Sequence, residues 1–350
     1  MTQYSIIGGG IAGASIAYHL LKDNLDVTLY DDNQTGQATK QSAGIICPWV
    51  SQRRNKKWYR LVKEGAKYYP LFIDELESTA QQPTGFSKNG SVSLFKDEHI
   101  QSLAYDRISK KQVDAPEMGD VQKLSYDELA SLFPELTKNY PGVYVSGGAQ
   151  VNGHMLLDAL MKAIRNLGGV VKKERANIEA LSGTVIYTAG AWHNKQIDTP
   201  KVSHQKAELL HFKLNSDSSN QDYPLIMALG PTYIIQTGLD TFAIGTTHID
   251  TDSFDTTPSP ESEQQLMNEA KRYFPNHSIE KLHMAVGLRP YTNESLPYIG
   301  WVEDNVFVVN GLGSSGLTAA PVIGREVSRY LNDQETTLNL SDYQYEEPLS

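Results

Sequence analysis

The segment Tyr4-Ser-Ile-Ile-Gly8-Gly-Gly10-Ile-Ala-Gly13 constrains this chain more than any other. An apolar run enters Gly-x-Gly-x-x-Gly, a helical pattern follows, and a second run, Asp26-Val-Thr-Leu-Tyr30, ends at the acid Asp31. That order and spacing describe a dinucleotide-binding β-α-β unit. Gly8 permits the tight turn out of the strand, Gly10 lets the backbone approach a pyrophosphate, and Gly13 lets helix and sheet pack closely. The phosphates then meet unpaired N–H groups at the positive end of the helix dipole. Asp31 can accept hydrogen bonds from both ribose hydroxyls and repels a 2′-phosphate, so NADP is disfavoured.

The rest of the chain reads as two interleaved patterns. Its 350 residues suggest about two domains. Helical spacing covers 53–79, the stretch after Ser125 with its capping-box Glu128, 154–167 and 261–273. Continuous apolar runs at Thr184–Thr188 and Asn305–Val309 suit a parallel sheet, whereas Gly90–Phe95, Ala207–Leu214, Tyr233–Gln236 and Phe242–Thr246 read as shorter, mostly alternating strands. The expected fold is α/β: a Rossmann-like domain with a parallel sheet, written as 1–80, 149–200 and 289–350. It is interrupted by an inserted α+β substrate domain, 81–148 and 201–288, with a largely antiparallel sheet. Residues 332–350 read as a polar, acidic tail.

A net charge of -10 and a pI near 5.4 argue against a nucleic-acid partner. The basic run Arg53-Arg-Asn-Lys-Lys57 reads as the solvated start of a helix. Cys47 is the sole cysteine, which excludes an internal disulfide. The N-terminus lacks a signal peptide's basic region and cleavage pattern, and no run reaches about 18 apolar residues. A cytoplasmic location without stable membrane insertion follows, and no metal site is expected.

A second glycine cluster, Asn310-Gly311-Leu-Gly313-Ser-Ser-Gly316-Leu-Thr318, follows the last apolar strand and opens a helical pattern from Val322 to Leu331, with Pro321 expected to kink or delay it. It is either a plain turn or a helix end facing a group that becomes anionic, as the N1–C2=O region of reduced flavin does. Upstream, Gly287-Leu-Arg289-Pro290 places a guanidinium near a strand end, where its planar fork suits a bidentate carboxylate or an interdomain ion pair.

Together with the loop Thr39-Lys-Gln-Ser-Ala-Gly44-Ile-Ile-Cys-Pro48 and the segment Thr188-Ala-Gly-Ala-Trp192, these motifs resemble the FAD-dependent D-amino acid oxidase family, most of all its glycine oxidase and sarcosine oxidase branch. The resemblance spans nearly the whole chain in the right order. It implies oxidation of an amine beside a carboxylate to an imine, with hydride passed to FAD and electrons commonly to oxygen, giving hydrogen peroxide. It also implies a set of cofactor-binding residues. These are Gly8, Gly10, Ile11, Ala12, Gly13, Asp31 and Asp32; Thr39, Lys40, Gln41, Ser42, Ala43, Gly44 and Ile45; Ala189, Gly190 and Trp192; Arg289; and Gly311, Gly313, Ser314, Ser315, Gly316, Leu317 and Thr318. Arg289 matches the carboxylate-binding arginine, while Tyr233 and His248 fall where glycine oxidases line the substrate pocket.

Two departures stand out. Glycine oxidases carry a second arginine where this chain has Ser314 or Ser315, and the stretch between Val171 and Thr184, which supplies adenine contacts, is short. The related covalent flavoenzymes use a C-terminal cysteine that this chain lacks, so FAD is expected to be non-covalent. Small-molecule partners are expected: an amino acid substrate and oxygen or another acceptor. A flavin-dependent dehydrogenase serving a quinone or carrier shares every motif. An NAD-dependent dehydrogenase accounts only for the first fingerprint, and a non-catalytic FAD-binding protein remains a further alternative.

Overall fold

The apolar run Gln3–Ile7 is a strand with neighbours on both sides, pairing in parallel with Asp26–Tyr30 and with Thr184–Tyr187, and four of its five residues are buried. This is the environment in which a strand reads as a continuous apolar stretch. The computed structural model describes residues 3–215 and 222–345. Among these, seven α-helices run in chain order: α1 Ile11–Lys22, α2 Lys56–Ala80, α3 Glu98–Ser109, α4 Tyr126–Leu132, α5 Gly153–Asn166, α6 Pro260–Tyr273 and α7 Gly316–Leu331.

From edge to edge, the first sheet runs Tyr298–Glu303, Val306–Asn310, Thr184–Tyr187, Gln3–Ile7, Asp26–Tyr30, Val170–Lys172. All neighbours are parallel except the first pair. Helix α1 is buried along its length except at Lys22, packs on α5 and α7, and is covered further by α2, which packs on the same two helices. The amphipathic α2 turns Trp58, Leu61, Val62, Tyr69, Phe72, Ile73 and Leu76 inward, the residues whose spacing marks this helix in the sequence.

The second sheet has nine strands and is antiparallel except where Leu225–Met227 lies beside Ser91–Leu94. Its longest pair joins Ser203–Leu214 to Ile279–Tyr291, with Gln205 opposite Arg289. The latter strand runs unbroken through residue 289, where the sequence pattern places a junction. Phe133, Phe212, Phe242 and Phe274 form an aromatic core against this sheet, each contributing about 2–3 kcal/mol of burial.

Three local expectations need correction. The long helix begins at Lys56 rather than 53, because Asn55 caps it by accepting from the Trp58 N–H at 3.0 Å. The last helix begins at Gly316, not Val322, with Pro321 buried inside it. The missing proline N–H is tolerated where buried Leu317–Gly324 packs tightly on its neighbours. Nor are residues 332–345 a free tail. The buried Glu326 accepts the backbone N–H groups of Thr337 at 2.5 Å and Leu338 at 3.1 Å, Leu338, Leu340 and Tyr343 are buried, and Tyr343 donates to the Lys57 carbonyl at 3.0 Å. Residues 346–350 lie outside the described residues. Among the described residues, no helix is long and apolar enough to cross a membrane, and no group of three or more His, Cys, Asp or Glu is placed to hold a metal ion.

Candidate active site

A cavity of about 990 Å³ opens beyond the carboxyl ends of the parallel strands, where open α/β sheets bind ligands. Gly8, immediately after the first strand, has φ +105°, and a Cβ there would stand 2.4 Å from the Thr188 carbonyl oxygen. A Cβ on Gly13 would stand 2.0 Å from the Gly8 oxygen, so the turn and α1 can approach this closely only as glycines. The N-terminus of α1 has Gly10 as its cap residue and no capping side chain. Its Ile11 N–H donates to Thr39 Oγ1 at 3.0 Å, which ties the 39–45 loop to the helix end. Asp31 accepts from the Gly9 N–H at 2.5 Å and from Gln37 Nε2 at 2.9 Å, a geometry that fixes its carboxylate on the cavity wall.

The last glycine cluster forms a further part of the wall, with Gly316 beside Ile11 at the start of α1. Helix α7 begins without a side-chain cap, and Gly313 to Thr318 face the cavity. Ser315 Oγ accepts from Trp58 Nε1 at 2.9 Å and Ser314 Oγ from Arg53 Nη2 at 3.4 Å, the Arg53 guanidinium lying 4.9 Å from the Trp58 ring.

The antiparallel sheet supplies the third wall. Arg289 Nη2 donates to Gln205 Oε1 at 2.6 Å and to His248 Nδ1. Gln205 Nε2 in turn donates to Asp250 Oδ1 at 2.8 Å, and the Tyr291 hydroxyl donates to the same oxygen at 3.1 Å. Tyr233, opposite Gly245 in the sheet, lines the same region. Burial pushes its phenol up to about 12, against opposing pulls from the Thr246 hydroxyl and the Arg289 charge. Burial, then Arg289, holds His248 below the usual imidazole range; Arg53 acts in the same direction and Asp250 opposes. Burial also lowers Arg289, which stays charged at any working pH.

Of the residues expected at the site, all line this cavity except Gly13, Lys40 and Gly311. Gly13 serves helix packing, the Lys40 ammonium reaches the surface and donates to Asn33 Oδ1 at 2.6 Å, and Gly311 makes a turn at φ +74° against Thr292.

A family model described as FAD dependent oxidoreductase (DAO) matches residues 3–330. The chain belongs to this family. It is 36% identical over 366 aligned positions to the uncharacterized oxidoreductase YurR of Bacillus subtilis (strain 168), with 98% of each chain covered. Iminodiacetate oxidase from Chelativorans sp. BNC1 shares its fold at a TM-score of 0.90 and 27% identity, covering 97% of this chain and 98% of that one. Glycine oxidase from Geobacillus kaustophilus does so at 0.85 and 21%, covering 100% of both.

FAD is the cofactor of this oxidoreductase family, and the cavity fits it. Two helix N-termini whose cap residues supply no side-chain acceptor, a glycine turn that a Cβ would fill, and an acid fixed at the end of the second strand suit its phosphates, ribose and flavin. Glu174, Arg175 and Ala176 also reach the wall near Asp31, so the short 171–184 stretch still contributes. Arg53 and Trp58 carry no motif and are absent from the sequence expectations for the site. The basic run before α2 marks Arg53 only as charged, and nothing local tells that it turns inward.

Proposed function

We propose that this chain oxidises the carbon–nitrogen bond of a small amino acid, of the glycine, sarcosine or D-amino acid type, to an imine. Arg289 carries the proposal. Its guanidinium lines the cavity and is held by a neutral amide and an imidazole rather than by a carboxylate, which leaves its fork available to an acidic ligand. The names of two structural relatives agree, since glycine and iminodiacetate each place a nitrogen one carbon away from a carboxylate. When bound, FAD supplies the two-electron acceptor for the hydride that leaves this carbon and passes the electrons to oxygen, so hydrogen peroxide accompanies the imine.

The chain's own residues bind and orient. The Gly8–Ala12 turn and the N-terminus of α1 take the pyrophosphate, Asp31 the ribose hydroxyls, and the 39–45 loop with Gly313–Thr318 the flavin. Within 1–80, 149–200 and 292–345 the chain serves the cofactor, and within 81–148 and 201–291, the part whose antiparallel sheet carries Arg289, it serves the substrate. With its carboxylate on Arg289, the substrate's reacting carbon is fixed in position, and orientation lowers the barrier. FAD is held non-covalently, because Cys47 is buried and its thiol is pushed up to about 12, leaving no thiolate for attachment at neutral pH.

Arg289→Ala is expected to raise KM for a carboxylate-bearing amine by about 30-fold or more while the visible flavin spectrum stays with the protein. Steady-state kinetics coupled to peroxide detection checks this. Unchanged kinetics on a turned-over amino acid would remove Arg289 from the substrate site.

A further inference from the structure

The proposed reaction needs a cation for one carboxylate, yet of the six Lys and Arg side chains that line the cavity two, Arg289 and Arg53, both act on His248. Arg53 is exposed in the loop before α2 and lines the same cavity as Arg289. Its hydrogen bond to Ser314 and its seat on the Trp58 ring lay it against the last glycine cluster. That cluster is joined to the Arg289 strand by an antiparallel bridge between Tyr291 and Leu312, so each guanidinium belongs to, or rests on, a residue two positions from the same bridge. Residues paired this way have Cα atoms about 5 Å apart.

Among the described residues, neither guanidinium has a carboxylate within 4.0 Å. Asp250 is the acid whose field Arg289 feels, and it is occupied by the Gln205 amide and the Tyr291 hydroxyl. The Arg53 charge also lowers Arg289, after burial. Two like charges converging without an acid between them cost repulsion, and a dianion bridging them removes it. A single carboxylate satisfies one fork and leaves the other unmatched.

We propose that the substrate is an amine flanked by two carboxylates, an N-(carboxyalkyl) amino acid, with one carboxylate on Arg289 and the other on Arg53. This rests on the amine-oxidising assignment of the same cavity.

The test uses the holoenzyme and two pairs of small molecules. Iminodiacetate and sarcosine differ by one carboxylate, and thiodiacetate and (methylthio)acetate are their sulfur counterparts, which lack the nitrogen needed for imine formation. Wild-type enzyme is expected to prefer iminodiacetate over sarcosine by about 100-fold in kcat/KM. It is expected to bind thiodiacetate more tightly than (methylthio)acetate by a similar factor, read as a shift in the flavin absorption bands. Arg53→Ala should lower both ratios by at least about 30-fold, chiefly through KM and Kd, and Arg53→Lys should restore part of each. A wild-type ratio near one overturns the inference, as does an Arg53→Ala variant that loses both members of a pair equally, which would assign Arg53 to the cofactor or the fold. If neither amine bleaches the flavin, the amine-oxidising assignment fails, and the thiodiacetate titration still decides whether Arg53 reads a second carboxylate.

Discussion

A guanidinium carries donors and no acceptor, so the His248 nitrogen that Arg289 touches, Nδ1, is the unprotonated one, and the neutral ring carries its hydrogen on Nε2. Burial and two arginine charges keep that ring from protonating until the pH falls below the ordinary imidazole range. Tyr233, pushed up to about 12, keeps its proton throughout the neutral range. Under the proposed reaction neither side chain is therefore equipped to take the proton of the substrate amine, and water is expected to take it. The expected pH profile follows: kcat/KM rises with unit slope as the substrate amine deprotonates, and it shows no further limb near neutrality from His248 or Tyr233. Tyr233→Phe and His248→Asn should change the height of the profile by roughly 10-fold or less and leave the limb in place, with pH-dependent steady-state kinetics as the measurement. A limb that disappears in either variant would make that side chain the base.

Among the elements, α7 combines the firmest local signal with the least legible start. A glycine cluster after an apolar strand announces a helix, but Pro321 argues for a start beyond it. The helix instead begins at Gly316, beside the contacts that Trp58 makes with Ser315 and Arg53 with Ser314. Those partners lie over 250 residues away in sequence, so no local pattern encodes them. The first β-α-β unit was legible because its causes are local: a turn that only glycine fits, an apolar run covered on both sides, and an acid at fixed spacing. The docked segment 338–343 was not, since it depends on the buried Glu326 accepting distant backbone N–H groups. The uncapped start of α7 also separates stability from function. Ser315→Asp places a carboxylate at a helix N-terminus, where its interaction with the dipole is worth about 0.3–1 kcal/mol to the fold, and a negative charge beside the site where reduced flavin is to be stabilised. Thermal stability should hold or rise while the two-electron flavin potential falls by about 30 mV, equivalent to about 1.4 kcal/mol. Spectroelectrochemical titration reads the second effect, and an unchanged or raised potential would detach α7 from the flavin.

At the scale of the molecule, the cavity wall is drawn from Gly8–Ala12, Asp31–Arg53, Glu174–Gln196, Tyr233–His248 and Gly287–Thr318, so both sheets and segments from end to end of the chain meet at one cavity. A cofactor that binds only this assembled wall stabilises the whole, because none of the pieces offers the site when unfolded. At a free concentration about 1,000 times Kd, that linkage amounts to about 4.1 kcal/mol. For a chain of this size it raises the melting midpoint by on the order of 10 °C. Calorimetry of apo and FAD-loaded protein is expected to show that rise, with both sheets melting in a single holo transition. Asp31→Ala supplies the control: loss of the ribose-facing carboxylate should weaken FAD about 10- to 100-fold. It should shrink the shift by about 1.4–2.7 kcal/mol equivalent at the same FAD concentration, and leave the apo midpoint within about 0.5 kcal/mol of the parent. If Asp31→Ala instead lowers the apo midpoint and leaves the FAD-induced rise intact, the acid belongs to the turn formed with Gly9 and Gln37, and the dinucleotide is held by other residues of the wall.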